Sequence, residues 1–353
     1  MQEKEQNQPH EDGELVAEPD EPPAETLPSH CSVSIRGWEN ENEAEAREFG
    51  QVVMSLAKEL SRYLDLSRLE SVIIAWDYTE AVASVDPGDG IPPAAPTSNE
   101  YALGGAMAYH TVRDDEIWSV IVIWTGLVRQ LNQMDDPEHK LALQTLVHEL
   151  AHVHDLRLFA RTYPGGWQAA KPKDGREAKL QMIVNPCQSE YSAQRRAAWA
   201  APEHGLDLLE MLNKAMKDVD DQIRSARLSY RVDGDLDKYW LVVVERFTFL
   251  FQAIGYGLGH ADWVEANADD HPELAALYRA KLIDLAGHPS GWMLDACRDA
   301  VQPFFHLEEW SDLEIYDPLI EVLERLFNQN GMYTRAHGDD IYVDIPYTGL
   351  HDL

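Results

Sequence analysis

Cysteine is scarce, with three in 353 residues. Cys31, Cys187 and Cys297 lie far apart, make no C-x-x-C pair and leave one thiol over. That pattern argues against a disulfide scaffold and for a reducing compartment, the cytoplasm by default. Basic residues are also in short supply, 29 against 62 acidic ones. The resulting net charge of −33 is repelled by nucleic acid and by anionic membranes, so neither is expected as a partner. Met1 leads into polar residues rather than a basic and then apolar segment, so no signal peptide is expected. The longest apolar run, residues 239–258, is broken by Glu245 and Arg246. Adjacent charges are costly in hydrocarbon, so the run reads as a buried helix of a soluble fold.

What is present suffices for a globular protein. Hydrophobic residues make up 44% of the chain, enough to bury a core despite the acidity, and the length suggests two domains. Residues 1–50 carry 14 Asp or Glu against 3 Lys or Arg. The first thirty have too little apolar surface to offset the entropy of ordering, and read as a disordered acidic tail, residues 1–30. The expected organisation then continues with a first domain at 31–202, a helical region at 203–330 and a hairpin with its tail at 331–353.

Apolar residues at helical spacing predict a helix over 43–64, and residues 71–76 read as a strand. Residues 86–96 have the Pro and Gly density of a long loop. Two strand-like stretches, 106–112 and 117–124, flank Arg113-Asp-Asp-Glu116 and predict a hairpin. Asp136-Pro137 reads as a helix start, with the helix running to about Arg161 before Tyr163-Pro-Gly-Gly166 ends it. Further helices are expected over 187–201, 206–227, 236–258, 272–286 and 313–328, with a terminal hairpin over 333–343. The fold class is therefore α+β, with strands confined largely to the first half.

The helix from Pro137 contains His148-Glu149-Leu150-Ala151-His152, an H-E-x-x-H motif. Residues four apart share a helix face, so both imidazoles can converge on one ion while Glu149 stands beside them, within reach of a water on that ion. With 14 His in 353 residues, the motif is expected by chance about 0.05 times. A catalytic zinc site takes three protein ligands and leaves the fourth position to water. Glu190, on the next expected helix, is the leading third ligand. Glu177, Asp155 and His154 are alternatives, although the last two follow His152 too closely to point at the same ion without bending the helix. Imidazole and carboxylate also suit Mn, Fe or Co.

His148, Glu149, His152 and a distal Glu190 resemble the gluzincin type of zinc metallopeptidase. The stretch Glu190-x-x-Ala193-x-x-x-Ala197-Ala198, followed by Pro202, is similar to the third-ligand helix of the ImmA/IrrE-like proteins. The resemblance covers roughly residues 70–202. It implies a minimal zincin-like domain, a small mixed β-sheet packed on the motif helix, with Zn2+ held by His148, His152 and Glu190. It also implies hydrolysis of a peptide or protein substrate, with Glu149 as general base. The tetrahedral oxyanion needs a donor besides the metal, for which His154, Tyr191 and Arg195 are the candidates. The hairpin strand before the motif helix could offer an edge to which an extended peptide adds.

Other features read as structural. Cys187 lies three residues before Glu190 and reads as a small buried residue rather than a neighbour of the metal. Asp233-Gly-Asp-Leu-Asp237 begins like a calcium loop but lacks the Gly and Glu such a loop needs further on, so it reads as a helix-capping turn. Trp240, Phe247, Phe249 and Phe251 read as core. A rival to the enzyme is a non-catalytic regulatory or interaction protein on the same scaffold, but the intact Glu149 favours catalysis.

Overall fold

The structure is a computed structural model and describes residues 22–38, 42–88, 104–166 and 169–347. Its sheet is built from β1 (Ser32–Arg36), β2 (Leu69–Ala75), β3 (Ala106–Arg113) and β4 (Glu116–Trp124), in the order β1-β2-β4-β3. β1, β2 and β4 run parallel, and β3 pairs antiparallel on the outside edge. The mixed sheet agrees with expectation, although β1, a short strand of alternating polar residues, was not anticipated.

β2 and β4 read as nearly continuous apolar runs because both faces of the sheet are covered. Val72, Ile74, Ile121 and Ile123 face α1 (Glu43–Leu60) and α4 (His139–Thr162), whose Phe49, Val53, Leu146 and Leu150 fill the space between. Ile73, Ala75, Val120 and Val122 face α2 (Tyr78–Ala83) on the opposite side. The β3–β4 connection is a two-residue turn in which Asp114 and Asp115 both have positive φ. That conformation matches the strand twist and fixes which β3 side chains face the motif helix.

Two expected boundaries move. α4 begins at His139 rather than Pro137, because the Asp136 side chain accepts from the Glu138 N–H in a turn before the helix. α5 (Gly175–Ala197) begins twelve residues earlier than expected, with Asp174 capping the Glu177 N–H and Pro186 carried inside the helix.

The second half is helical: α6 (Gly205–Asp233), α7 (Leu236–Ala266), α8 (Pro272–Ala286), α9 (Trp292–Phe305) and α10 (Asp317–Gln329), followed by a hairpin of β5 (Tyr333–His337) and β6 (Asp340–Asp344). α9 was not anticipated. α7 is long and apolar enough by composition to cross a membrane, but its buried Val243, Phe247, Phe251 and Ile254 form the centre of the helical core.

The expected division at residue 202 does not separate two cores. Leu180, Ile183, Val184, Cys187 and Tyr191 of α5 belong to the core of α6–α10. Gly255 and Gly259 of α7 explain the closeness: a β-carbon at Gly255 would lie 2.5 Å from the Cys187 carbonyl oxygen, and one at Gly259 2.4 Å from that of Tyr191. Backbone meets backbone there, which only glycine permits.

The expected disordered tail is also shorter at its C-terminal side. Residues 1–21 lie outside the described residues. Residues 22–30 dock against the end of α1: the Thr26 hydroxyl lies 2.8 Å from the Ser61 carbonyl oxygen and accepts from the Leu66 N–H at 2.9 Å. Thr26 thus satisfies backbone groups that the end of a helix leaves without partners. The expected loop at 86–96 lies outside the described residues from 89 onward.

Candidate metal centre

α4 presents its apolar stripe to the sheet and a polar one to a cleft of about 430 Å3, lined by residues of β3, α4, α5 and α7. Among the described residues, His148, His152 and Glu190 form one group able to hold a metal ion. The Nε2 atoms of His148 and His152 are 3.1 Å apart. Glu190 Oε2 lies 3.2 Å from the first and 3.4 Å from the second. Bonds of 2.0–2.1 Å in a tetrahedral site imply ligand–ligand edges of about 3.3 Å, so the three atoms already form one face of such a tetrahedron. Glu190 Oε2 is buried with only the two imidazoles as its polar neighbours, an arrangement that a cation between them would complete.

Neighbours hold the ligands in place. The Ser189 hydroxyl is 3.1 Å from His152 Nδ1, so the other ring nitrogen is left for the ion. Gln252 Nε2 donates to Glu190 Oε1 at 3.0 Å and to the Tyr256 hydroxyl at the same distance. The Tyr256 hydroxyl in turn bonds the Glu190 carboxylate, and its ring centroid is 5.9 Å from that of His148.

Burial pushes the Glu149 carboxyl up, and Glu190 adds to this, while the two imidazoles and the Ala108 N–H pull the other way. Its Oε2 has no partner and is free to take a proton. For Glu190, burial disfavours the charge, but His152 and His148 outweigh it and hold the carboxyl well below its usual range. Burial likewise opposes a charged His152, yet Glu190, with Glu149 and Asp155, lifts this imidazole to about 9. Burial first, then Glu190 and Glu149, push the Tyr256 phenol far up, so it remains a donor.

β3 borders the cleft as a strand edge. Gly105 is bonded to β4 through Trp124, whereas the Val112 N–H turns outward to Pro87 and the Ala108 N–H outward to Glu149. Backbone groups alternate along a strand, so Ala106, Ala108 and His110 direct theirs away from the sheet.

The three expected oxyanion donors do not reach this cleft. His154 Nδ1 accepts from the Asp65 N–H at 2.8 Å, because two residues along a helix from His152 is a rotation of about 200°. Tyr191 donates to Asp262 Oδ2 at 2.6 Å inside the interface with α7. Arg195 donates to the Tyr191 hydroxyl and lies 4.3 Å from the Phe305 ring. The alternative third ligands are engaged elsewhere: Asp155 pairs with Arg196 at 3.3 Å, and Glu177 accepts from the Lys173 N–H. Cys187 is a buried free thiol that shares a hydrogen bond with the thiol of Cys297. Asp233 and Asp235 cap the turn into α7, accepting from the Asp235 and Lys238 N–H groups respectively.

Sequence reading missed Tyr256 and Gln252. The signal lay in Gly255-Tyr-Gly-Leu-Gly259, whose small residues mark a close helix contact and so select which helix neighbours Glu190. It also missed a buried chain from Gln144 through Gln194 to His260, with contacts of 2.8 and 3.2 Å, which ends on the Ala201 carbonyl oxygen.

No protein-family model, no curated protein and no solved structure matches this chain.

Proposed function

We propose that the protein is a zinc-dependent peptidase of the zincin type, distantly related to the ImmA/IrrE-like group, that hydrolyses peptide bonds at this cleft. The observation carrying the proposal is the triangle of His148, His152 and Glu190 with the unbonded, buried Glu149 oxygen beside it. Zinc is the metal favoured by two imidazoles and one carboxylate in tetrahedral arrangement. A divalent cation held there supplies Lewis acidity, polarising a carbonyl and making water easier to deprotonate.

The chain's own groups supply the rest. The outward main-chain groups of Ala106 and His110, with the Ala108 carbonyl, align an extended peptide over the cleft. Glu149, steadied by the Ala108 N–H, takes the proton of the attacking water and delivers it to the departing amine. The Tyr256 hydroxyl, kept protonated by its surroundings, turns its one proton from the Glu190 carboxylate to the oxygen on which negative charge develops. Gln252 and Ser189 hold Glu190 and His152 while this happens.

The test is Glu149→Gln in zinc-loaded protein, assayed on mixed peptides by mass spectrometry. Metal should be retained and cleavage should fall roughly 10²- to 10⁴-fold, the contribution of a general base. Parent-like cleavage by the variant would exclude the mechanism, and absence of cleavage by the parent on all peptides would exclude the peptidase.

A further inference from the structure

The metal cleft continues into a second cavity of about 680 Å3, with Ala108 and His110 lining both. Its size falls within the range of sites that hold organic ligands. One wall is β3 from Ala108 to Val112, and the other is the N-terminal half of α5, including Ala178 and Met182. Both walls therefore run on into the catalytic cleft, β3 to Ala106 and α5 to Ser189 and Glu190. The floor and far end are formed by Ile117, Leu156, Ala170 and Pro172. The surface is apolar, in contrast to the histidines and carboxylates around the metal triangle.

On the peptidase reading above, we infer that this cavity receives a bulky apolar side chain of the substrate on the N-terminal side of the scissile bond. The direction follows from strand pairing. A peptide added to β3 gains the more stable ladder by running antiparallel, so its upstream residues lie toward Val112 and its downstream residues toward Ala106. The edge is open at Ala106, at the Ala108 carbonyl and at His110, the Ala108 N–H being held by Glu149, and it closes at Val112, whose N–H is taken by Pro87. Upstream of the bond there is room for little more than one paired residue before the chain must leave the strand. The side chain at that point stands over the apolar cavity, where a leucine, methionine or phenylalanine removes its surface from water.

Small residues create the space, so enlarging one closes it. Ala178 is half-buried on the α5 wall, and Met182 beside it is 71% exposed. The experiment uses the zinc-loaded full chain with a peptide mixture and mass spectrometry, together with matched fluorescent peptides carrying Leu or Ala upstream of the cut. Apolar residues should be enriched upstream, and the Leu/Ala ratio of kcat/KM should be roughly tenfold or more. In Ala178→Phe that ratio should collapse toward one. Met182→Asp, at an exposed position that tolerates charge, should reduce it in the same direction. Binding of the same two peptides to zinc-loaded Glu149→Gln, read by anisotropy, separates this inference from the hydrolysis it rests on. Preferential Leu-peptide binding that Ala178→Phe removes, without cleavage by the parent, supports the pocket and overturns hydrolysis. Cleavage with no upstream preference, or with an apolar preference downstream, overturns the pocket and leaves the peptidase standing. Neither cleavage nor binding overturns both.

Discussion

Gln252 donates from Nε2 to Glu190 Oε1 at 3.0 Å, and so ties the carboxylate of the candidate metal triangle to α7, in the helical half of the protein. The two imidazoles come from α4, the carboxylate from α5, and the group that orients the carboxylate from a helix whose core lies away from the sheet. The candidate site and the helical half are one construction.

Metal uptake should be accompanied by loss of a proton. In the metal-free form His152 is lifted to about 9 by Glu190, so at pH 7 to 8 an arriving cation displaces the proton. Calorimetry in buffers of different ionisation enthalpy should give a release of about one proton per metal, with affinity falling as the pH falls. Elemental analysis of His148→Ala and His152→Ala should show metal lost from each, and full occupancy in either would rule out the assigned ligands.

Tyr256→Phe should fold and bind metal normally while kcat drops by roughly a hundredfold or more, the usual effect of removing one oxyanion donor. The contrast is Tyr191→Phe, which strips a donor from Asp262 in the α5–α7 interface. That change should lower stability by about 1 kcal/mol and leave kcat near its parent value. Equal kinetic effects of the two would remove Tyr256 from its assigned role.

Gly255→Ala should weaken the site by crowding α5, the added methyl lying 3.1 Å from the Glu190 β-carbon. The added methyl would meet the Cys187 carbonyl oxygen at 2.5 Å, and overpacking of this kind costs about 1–3 kcal/mol. Denaturant unfolding should show the lost stability, and metal titration a parallel loss of affinity as α5 shifts.

Acid should destabilise the fold through histidines that folding keeps neutral. Burial pulls His260 down to about 4, and burial with Arg196 and Arg157 nearby pulls His154 down to about 3. The unfolded chain binds protons at both from pH ~6.5 downward, and the folded chain does not. Their stabilisation is present in full above pH ~6.5 and is lost as the pH falls through the folded values. His260 alone corresponds to about 3 kcal/mol. His260→Gln should flatten the pH profile of unfolding between about pH 6.5 and 4, and an unchanged profile would exclude this origin.

What the sequence made legible was local. His148 and His152 declare themselves because helical spacing alone puts them on one face, and Glu190 followed from the need for a carboxylate on the next helix. Tyr256 and Gln252 could not be read in the same way, since Gln252 is 62 residues beyond its partner and no periodicity links them. His154 misled by nearness in sequence, because helical rotation turns it toward Asp65. α5 was expected only from residue 187 and instead runs through Pro186, although a proline inside a helix usually ends it, because packing against α7 carries the helix through. Thr26 escaped notice because acidic composition speaks for a tail, and a single hydroxyl placed at a helix end outweighs it.

The close approach at Gly255 and Gly259 also has a bearing on synthesis. A nascent chain emerging as far as Ala197 already contains His148, Glu149, His152 and Glu190, but not α7. It lacks the hydrogen bond that aims Glu190 and the phenol that faces the cleft. A prematurely terminated product would therefore carry the candidate ligands without the helix that orients Glu190, and on the peptidase reading competence would arrive only with α7.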